Sequence, residues 1–371
     1  MKLDSNTQRL GRLTPLNVVL SLIETRVGVA ASKRTALSAA RYFTLAEDVV
    51  GSARPQYAIA MRDGFPVDSA LVVDAGPYMP VPLPLTTRRI DVGEPLPSGT
   101  DAVLPLDAVA LREERAEAIA PAVAGEGVLP AAADVAERVP LRRAGERARA
   151  VDLAVMRAAG IAEVSLRLPK IQVVWGGDAR SELIEAALVT IVRMAGEAGG
   201  GVTGKSITLE PALGESEIDA VIAVGGTGSG RRDAAVATLA RLGRVEAYGI
   251  AVSPGETAAF GFVGPKPVLL IPGRLDAALA IWLLIGRHLV AKLAGGPVED
   301  SATTLPLRRK VTSTIGLTEL IPVSCTGGMA EPLASGYLSL AALARSDGWV
   351  VVPAESEGFR EATPVAVRPW P

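Results

Sequence analysis

Residues 220–233 read AVIAVGGTGSGRRD. Ala220–Val224 is an unbroken apolar run, which predicts a buried strand. Gly225, Gly226, Gly228 and Gly230 follow, with Thr227 and Ser229 between them. From Arg232 to Leu242 the apolar spacing predicts an amphipathic helix. Strand, glycine loop and helix in this order can build a phosphate cradle. Glycine lets backbone N–H groups approach an anion, and a helix N-terminus adds a favourable dipole. An ordinary tight strand-to-helix connection has the same sequence appearance.

The same alternation continues on both sides. Strands are predicted at Ile171–Trp175, Ile207–Leu209, Tyr248–Val252 and Val268–Ile271, with helices at Glu182–Ala198 and Ala277–Val290. This pattern predicts a mostly parallel sheet covered by helices on both faces over residues 169–300, a three-layer α/β/α domain. In such a sheet the carboxyl ends of the parallel strands share one edge. The loops Gly176-Gly177-Asp178, Gly225–Gly230 and Pro272-Gly273-Arg274 would converge there, with Pro254-Gly255 as a further candidate.

The rest of the chain reads differently. Pro15–Val27 has helical spacing with Pro15 as first residue, and Thr35–Val50 is read as a second helix. Asp152–Ala159 is read as a short helix ended by Gly160. Between Leu71 and Val109 proline is too dense for long helices, which predicts a small β-rich domain. Asp63-Gly64 is a turn signal among apolar neighbours, so Asp63 is either a turn residue or a carboxylate held in a site. Ala116–Ala136 is alanine-rich and ambiguous. After a linker from Gly295 to about Leu305, Val311–Pro369 is read as a second β-rich domain, with Cys325 in a turn-like SCTGG.

Composition removes several functions. Of the 371 residues, 4% are aromatic, so the cores must be aliphatic. A net charge of −2 without a basic block argues against a nucleic-acid partner. The arginines at 142, 143, 147 and 149 are either a phosphate contact or a solvated surface. One cysteine excludes an intramolecular disulfide, and one histidine, His288, excludes a His/Cys zinc site. His288 sits in a helical run and reads as structural. The N-terminal residues lack a signal-peptide core, and the longest apolar run, Ala277–Gly286, is short for a bilayer. A cytoplasmic protein with no membrane partner is expected. GGGVTGKS at 199–206 matches the P-loop spacing, but a helix precedes it and a strand-like run follows, the reverse of what a P-loop needs. It reads as a helix-to-strand connection with a solvated Lys205. Gly226, Gly228 and Gly230 also miss the spacing of a dinucleotide fingerprint.

Taken in order, the loops resemble those of the MoeA/gephyrin-type molybdopterin molybdenumtransferases over nearly the whole chain. Pro55–Val67 is similar to the family's proline-to-MDGYAV segment, with Asp63-Gly64 in its Asp-Gly. GEPLPSGTDAV at 93–103 resembles G-x-PLP-x-GADAV. Gly177-Asp178 resembles the Gly-Asp of TGDEL, and 225–233 resembles GGVSxG followed by aspartate. Pro254-Gly255 with Gly261 resembles PGKP…FG, Ile271–Gly273 resembles the start of LPGNP, and Glu331–Val352 resembles the last domain. Each piece alone is weak, and seven in the right order are specific.

The resemblance implies a mixed scaffold domain at 1–53 and 133–168, an inserted β-rich domain at 54–132, a molybdopterin-binding domain at 169–300 and a C-terminal β domain at 305–371. It implies a homodimer whose site is shared between the chains. It also implies insertion of molybdate into adenylylated molybdopterin with Mg²⁺ and release of AMP. Asp63 and Asp233 are then the catalytic and metal-ligating candidates. Cofactor contacts fall on Gly176, Gly177, Asp178, Gly225, Gly226, Thr227, Gly228, Ser229, Gly230, Arg231, Pro254, Gly255, Pro272, Gly273 and Arg274. Charged positions depart from the family pattern: Val92, Ala179, Arg231, Ser253, Glu256 and Arg274-Leu275 replace its threonine, glutamate, acid, two lysines and Asn-Pro. Either Arg231 and Arg274 replace lost lysines in a diverged transferase, or the chain binds a pterin or molybdate without turnover, as a carrier or sensor. Arg274 could instead neutralise Glu256 as a structural pair.

Overall fold

A computed structural model describes residues 8, 10–39, 43–112, 115–177, 181–298 and 300–371, apart from the side chains of 204–207. The chain forms two compact units, one of residues 1–47, 144–149 and 165–371, the other of 48–143 and 150–164.

In the first unit Ala220–Val224 forms a strand whose five residues are all buried. Its side chains alternate between two cores, as a strand period of two requires. Ala220, Ile222 and Val224 pack with Ile191, Leu279 and Trp282. Val221 and Ala223 pack with Leu213, Val236 and Leu239 on the other face. The sheet has six strands in the order Gly201–Thr208, Lys170–Trp175, Ala220–Val224, Lys266–Ile271, Ala259–Val263, Arg244–Tyr248. The first four run parallel, and Ala259–Val263 runs antiparallel to both of its neighbours. The three-layer, mostly parallel architecture is as expected.

Several elements differ from the sequence reading. Thr35–Val50 is not helical: Ser32–Ala36, Thr44–Leu45 and Val49–Val50 are short strands. The P-loop look-alike at 199–206 runs into the strand Gly201–Thr208, and Leu209–Gly214 is a helix rather than the end of a strand. Tyr248–Val252 is divided. Arg244–Tyr248 closes the α/β sheet, whereas Val252–Ser253 pairs in parallel with Thr318–Glu319 of the C-terminal sheet. Ala259–Val263, AFGFV, is a strand that the family-like Phe-Gly conceals. Cys325 lies in the strand Thr318–Thr326, not in a turn.

The apolar run at Ala277 is longer than its sequence suggests. Leu275–Ala294 is one 20-residue helix, interrupted by a π-helical segment at Trp282–Gly286, and an 18-residue stretch of it has a mean hydropathy of 1.6. By length and composition it could cross a membrane, but 78% of that stretch is buried. Its apolar surface is therefore used in the core. A Cβ on Gly286 would lie 2.3 Å from the Trp282 ring, so glycine is what lets the widened turn close over that tryptophan.

His288 is on this helix. Burial, and after it the Arg287 guanidinium, lower its pKa from the ordinary 6.5 against the opposing pull of Asp300 and the Leu284 carbonyl. A base whose folded pKa is lowered stays neutral in the fold while the unfolded chain takes up the proton. Its contribution to stability is complete above about pH 6.5 and declines as pH falls below that. Urea midpoints measured from pH 7 to pH 5 should fall less steeply in His288→Gln than in the parent.

The second unit is built from short antiparallel pairs. Gly64–Val67 pairs with Ala102–Pro105, Ile59–Ala60 with Val128–Leu129, and Val49–Val50 with Pro140–Arg142. Phe65, Val67, Leu83, Leu104 and Ala118 are in its aliphatic core. The ambiguous 116–136 stretch holds strand residues up to Ala118 and at Val128–Leu129. The helix Ala150–Ala158 carries Asp152, 3.5 Å from Arg142. At least this member of the arginine cluster is therefore in an ion pair.

Candidate functional site

The three central parallel strands end level with one another, Trp175 opposite Val224 and Val224 opposite Ile271. The glycine loops leave from these ends and pack backbone to backbone. A Cβ on Gly176 would lie 2.0 Å from the Gly225 carbonyl oxygen, and one on Gly226 would lie 2.6 Å from the Gly176 oxygen. A Cβ on Gly273 would lie 3.3 Å from the Gly225 Cα. Gly225 and Gly226 have φ of +90° and +71°, the left-handed region that favours glycine. The convergence expected of Gly176, Gly177, Gly225, Gly226, Pro272 and Gly273 is therefore present. Asp178 lies outside the described residues.

Two loop amides serve the frame: Gly176 N–H donates to the Val224 oxygen and Gly225 N–H to the Ile271 oxygen. Among the described residues nothing accepts from the N–H groups of Gly226, Thr227, Gly228 or Ser229. A run of successive unpaired amides is the chemistry of an anion nest. The helix starts later than its apolar spacing indicates, at Ala235. Two of its first-turn amides are already used, since Ala235 N–H donates to the Gly226 oxygen and Ala237 N–H to Gln8 Oε1. The loop amides, not the helix end, are thus the donors left for a ligand.

Side chains shape the loop from behind. Gln8, 8% exposed, donates through Nε2 to the oxygens of Gly226 and Gly228 at 3.1 and 2.8 Å. Thr227, 2% exposed, shares a 3.0 Å hydroxyl contact with Thr257, and its carbonyl accepts from Tyr248 Oη. Burial raises the Tyr248 pKa, and the Asp233 charge adds to the shift, so the phenol keeps its proton for that bond. Gln8, Tyr248 and Thr257 were not legible as site residues, because nothing in their local sequence marks them.

Asp233 accepts the Gly230 N–H at 2.9 Å, and its own N–H donates to the Gly230 oxygen. Its carboxylate closes the loop. Arg231 is exposed beside it. Arg274 does not pair with Glu256. Its Nε and Nη2 donate to Asp276 at 3.1 and 2.5 Å, a bidentate contact with a carboxylate only 4% exposed. Asp276 also accepts the N–H groups of Ala277 and Leu338. The bond to Asp276 is the main reason the Arg274 pKa is raised. Glu256 turns back to accept the Gly255 N–H at 3.1 Å. Pro254 and Gly255 are buried, and a Cβ on Gly255 would lie 2.8 Å from the Ile281 side chain. This loop packs on the long helix.

Asp63 belongs to the second unit. Its Oδ1 accepts the Val92 N–H at 2.9 Å, and Arg89 lies 4.0 Å from its other oxygen. Half-exposed, it is held in place by the loop that precedes PLP. Among the described residues no three His, Cys, Asp or Glu side chains gather as a metal site. At the glycine loops Asp233 is already bonded to Gly230, so the protein groups alone do not fit a resident Mg²⁺.

The fold and the loop define a three-layer α/β protein with a run of unpaired amides at the carboxyl edge of its sheet. The chain belongs to the MoeA family: residues 14–160 match the model of the MoeA N-terminal region (domain I and II), and 304–370 match that of the MoeA C-terminal region (domain IV). It is 30% identical over 153 residues to a Methanocaldococcus jannaschii protein named for molybdopterin biosynthesis, covering 41% of this chain and 36% of that one. It is 28% identical over 316 residues to molybdopterin molybdenumtransferase 1 of Mycobacterium tuberculosis, covering 75% and 72%. The chain thus spans about a third of the first relative's length and nearly three quarters of the second's. The crystal structure of the MoeA molybdopterin biosynthesis protein from Pyrococcus horikoshii shares the fold, with a TM-score of 0.79, 23% identity, and 96% and 99% of the two chains covered.

Proposed function

We propose that this chain acts in molybdenum cofactor biosynthesis, inserting molybdate into adenylylated molybdopterin with release of AMP. The observation that carries the reading is the row of four unpaired amides, Gly226 to Ser229, in a loop whose glycines are packed too closely for a side chain. Such amides hold a phosphate without needing the family's lysines. Arg231, exposed beside them, supplies positive charge. Arg274 binds Asp276 through Nε and Nη2 and keeps its Nη1 edge for a ligand.

The four-part domain division and a homodimer are part of the same reading, with Asp63 of one chain completing the site on another. So is a cytoplasmic location. Mg²⁺, as a metal the family resemblance implies, would need the substrate's phosphates to supplement the carboxylates. Calorimetry should therefore register little Mg²⁺ uptake by the free protein, and tight binding without ligand would contradict this account.

The direct test compares molybdopterin binding and molybdate insertion in the parent and Arg231→Ala. The parent should do both, and the variant should bind several-fold more weakly. Insertion absent from a parent that binds the pterin would replace the transferase with a carrier.

A further inference from the structure

We propose that Tyr337 and Arg274 form a platform beside the amide row that stacks on the flat, nitrogen-rich heterocycle of a phosphorylated ligand. The inference rests on the phosphate role assigned to the amides and adds the part of the site that recognises a ring. Tyr337 is 62% exposed, although a large aromatic side chain is ordinarily at least partly buried. The Arg274 guanidinium lies over its ring, 5.1 Å from the centroid. Arg274 directly follows Gly273, where a Cβ would lie 3.3 Å from the Gly225 Cα, so the backbone that carries Arg274 abuts the residue before the amide row.

The pair is also anchored. Asp276 grips the Arg274 fork with one carboxylate and accepts the Leu338 N–H, binding the loop after Tyr337 to the loop that carries Arg274. Glu319, 4% exposed, accepts the Ser335 hydroxyl and the Gly336 N–H, each at 2.7 Å, fixing the loop before Tyr337. Two buried carboxylates thus hold the backbone on either side of one exposed ring. An aromatic face and a guanidinium plane, held in advance, are what a base or pterin ring stacks on at little entropic cost. Ring and amides together fit a ligand with a phosphate at one end and a heterocycle at the other.

Adenine and pterin rings share this chemistry, so the test uses both. Calorimetry on the full chain would compare inorganic phosphate, AMP and 6-hydroxymethylpterin monophosphate, for the parent, Tyr337→Ala and Tyr337→Phe. The parent should prefer at least one ring-bearing probe to phosphate. Tyr337→Ala should weaken that probe by about tenfold and leave inorganic phosphate unchanged, while Tyr337→Phe keeps the parent affinity. The probe that responds identifies the ring. Equal affinity of Tyr337→Ala and the parent for both ring-bearing probes, or a matching loss for inorganic phosphate, would overturn the platform and leave the amide row standing. A parent that binds none of the three would overturn both.

Discussion

Gly176→Ala is expected to destroy phosphate binding, by two orders of magnitude or more, and to destabilise the protein by about 3 kcal/mol. The new Cβ would lie 2.0 Å from the Gly225 carbonyl oxygen and 2.9 Å from its carbon. Neither loop can yield cheaply, because Gly176 N–H donates to Val224 and Gly225 N–H to Ile271, each at the end of a buried strand. Any shift displaces Gly225 and with it the amide row that follows. Gly196, in the helix Glu182–Glu197, is the control, since a Cβ there meets nothing within 4 Å. Alanine there should stabilise by about 0.5–1 kcal/mol through helix propensity alone. Urea unfolding and phosphate calorimetry on both variants measure the contrast. A Gly176→Ala protein with parent-like affinity would mean that the packed loops are not the ligand contact.

Asp276→Ala should cost about 2–4 kcal/mol. It leaves four donors without their acceptor: Nε and Nη2 of Arg274 and the N–H groups of Ala277 and Leu338. Because Arg274 is 58% exposed, water recovers part of its loss, which keeps the value below that of a fully buried pair. Asp276→Asn retains one acceptor oxygen and should cost less than half as much. Thermal and urea unfolding measure both. Equal costs would show that charge, rather than acceptor geometry, is what Asp276 contributes.

The parallel strands were legible because burial on both faces demands continuous apolar runs, and Ala220–Val224 is one. The cradle was legible because close backbone packing leaves glycines in the text. What failed has equally specific causes. Thr35–Val50 contains helix-compatible residues, but its short strands pair with Glu163–Arg167 and Pro140–Arg142, partners far along the chain. The alternative that Arg274 neutralises Glu256 fails because Asp276, two residues away where the helix begins, takes its guanidinium fork. Gln8, Tyr248 and Asp276 act through geometry over long sequence separations, and no short pattern records that. Glu256, standing where the family pattern has a lysine, is spent on its neighbour's N–H.

The strand Val252–Ser253 has a consequence for how the chain can be cut. It leaves the α/β sheet and enters the C-terminal one, pairing with Thr318–Glu319, while Thr318 N–H donates to the Ala251 oxygen. Leu320, Leu338 and Trp349 from the C-terminal region lie in the same core as Ile222 and Trp282. A fragment ending at Gly296 would lose that strand's partner and leave part of the α/β core facing water. The linker after Gly295 looks like a joint between modules, but proteolysis there should not release two stable pieces. The C-terminal region is a structural cofactor of the α/β domain, supplied by the chain itself.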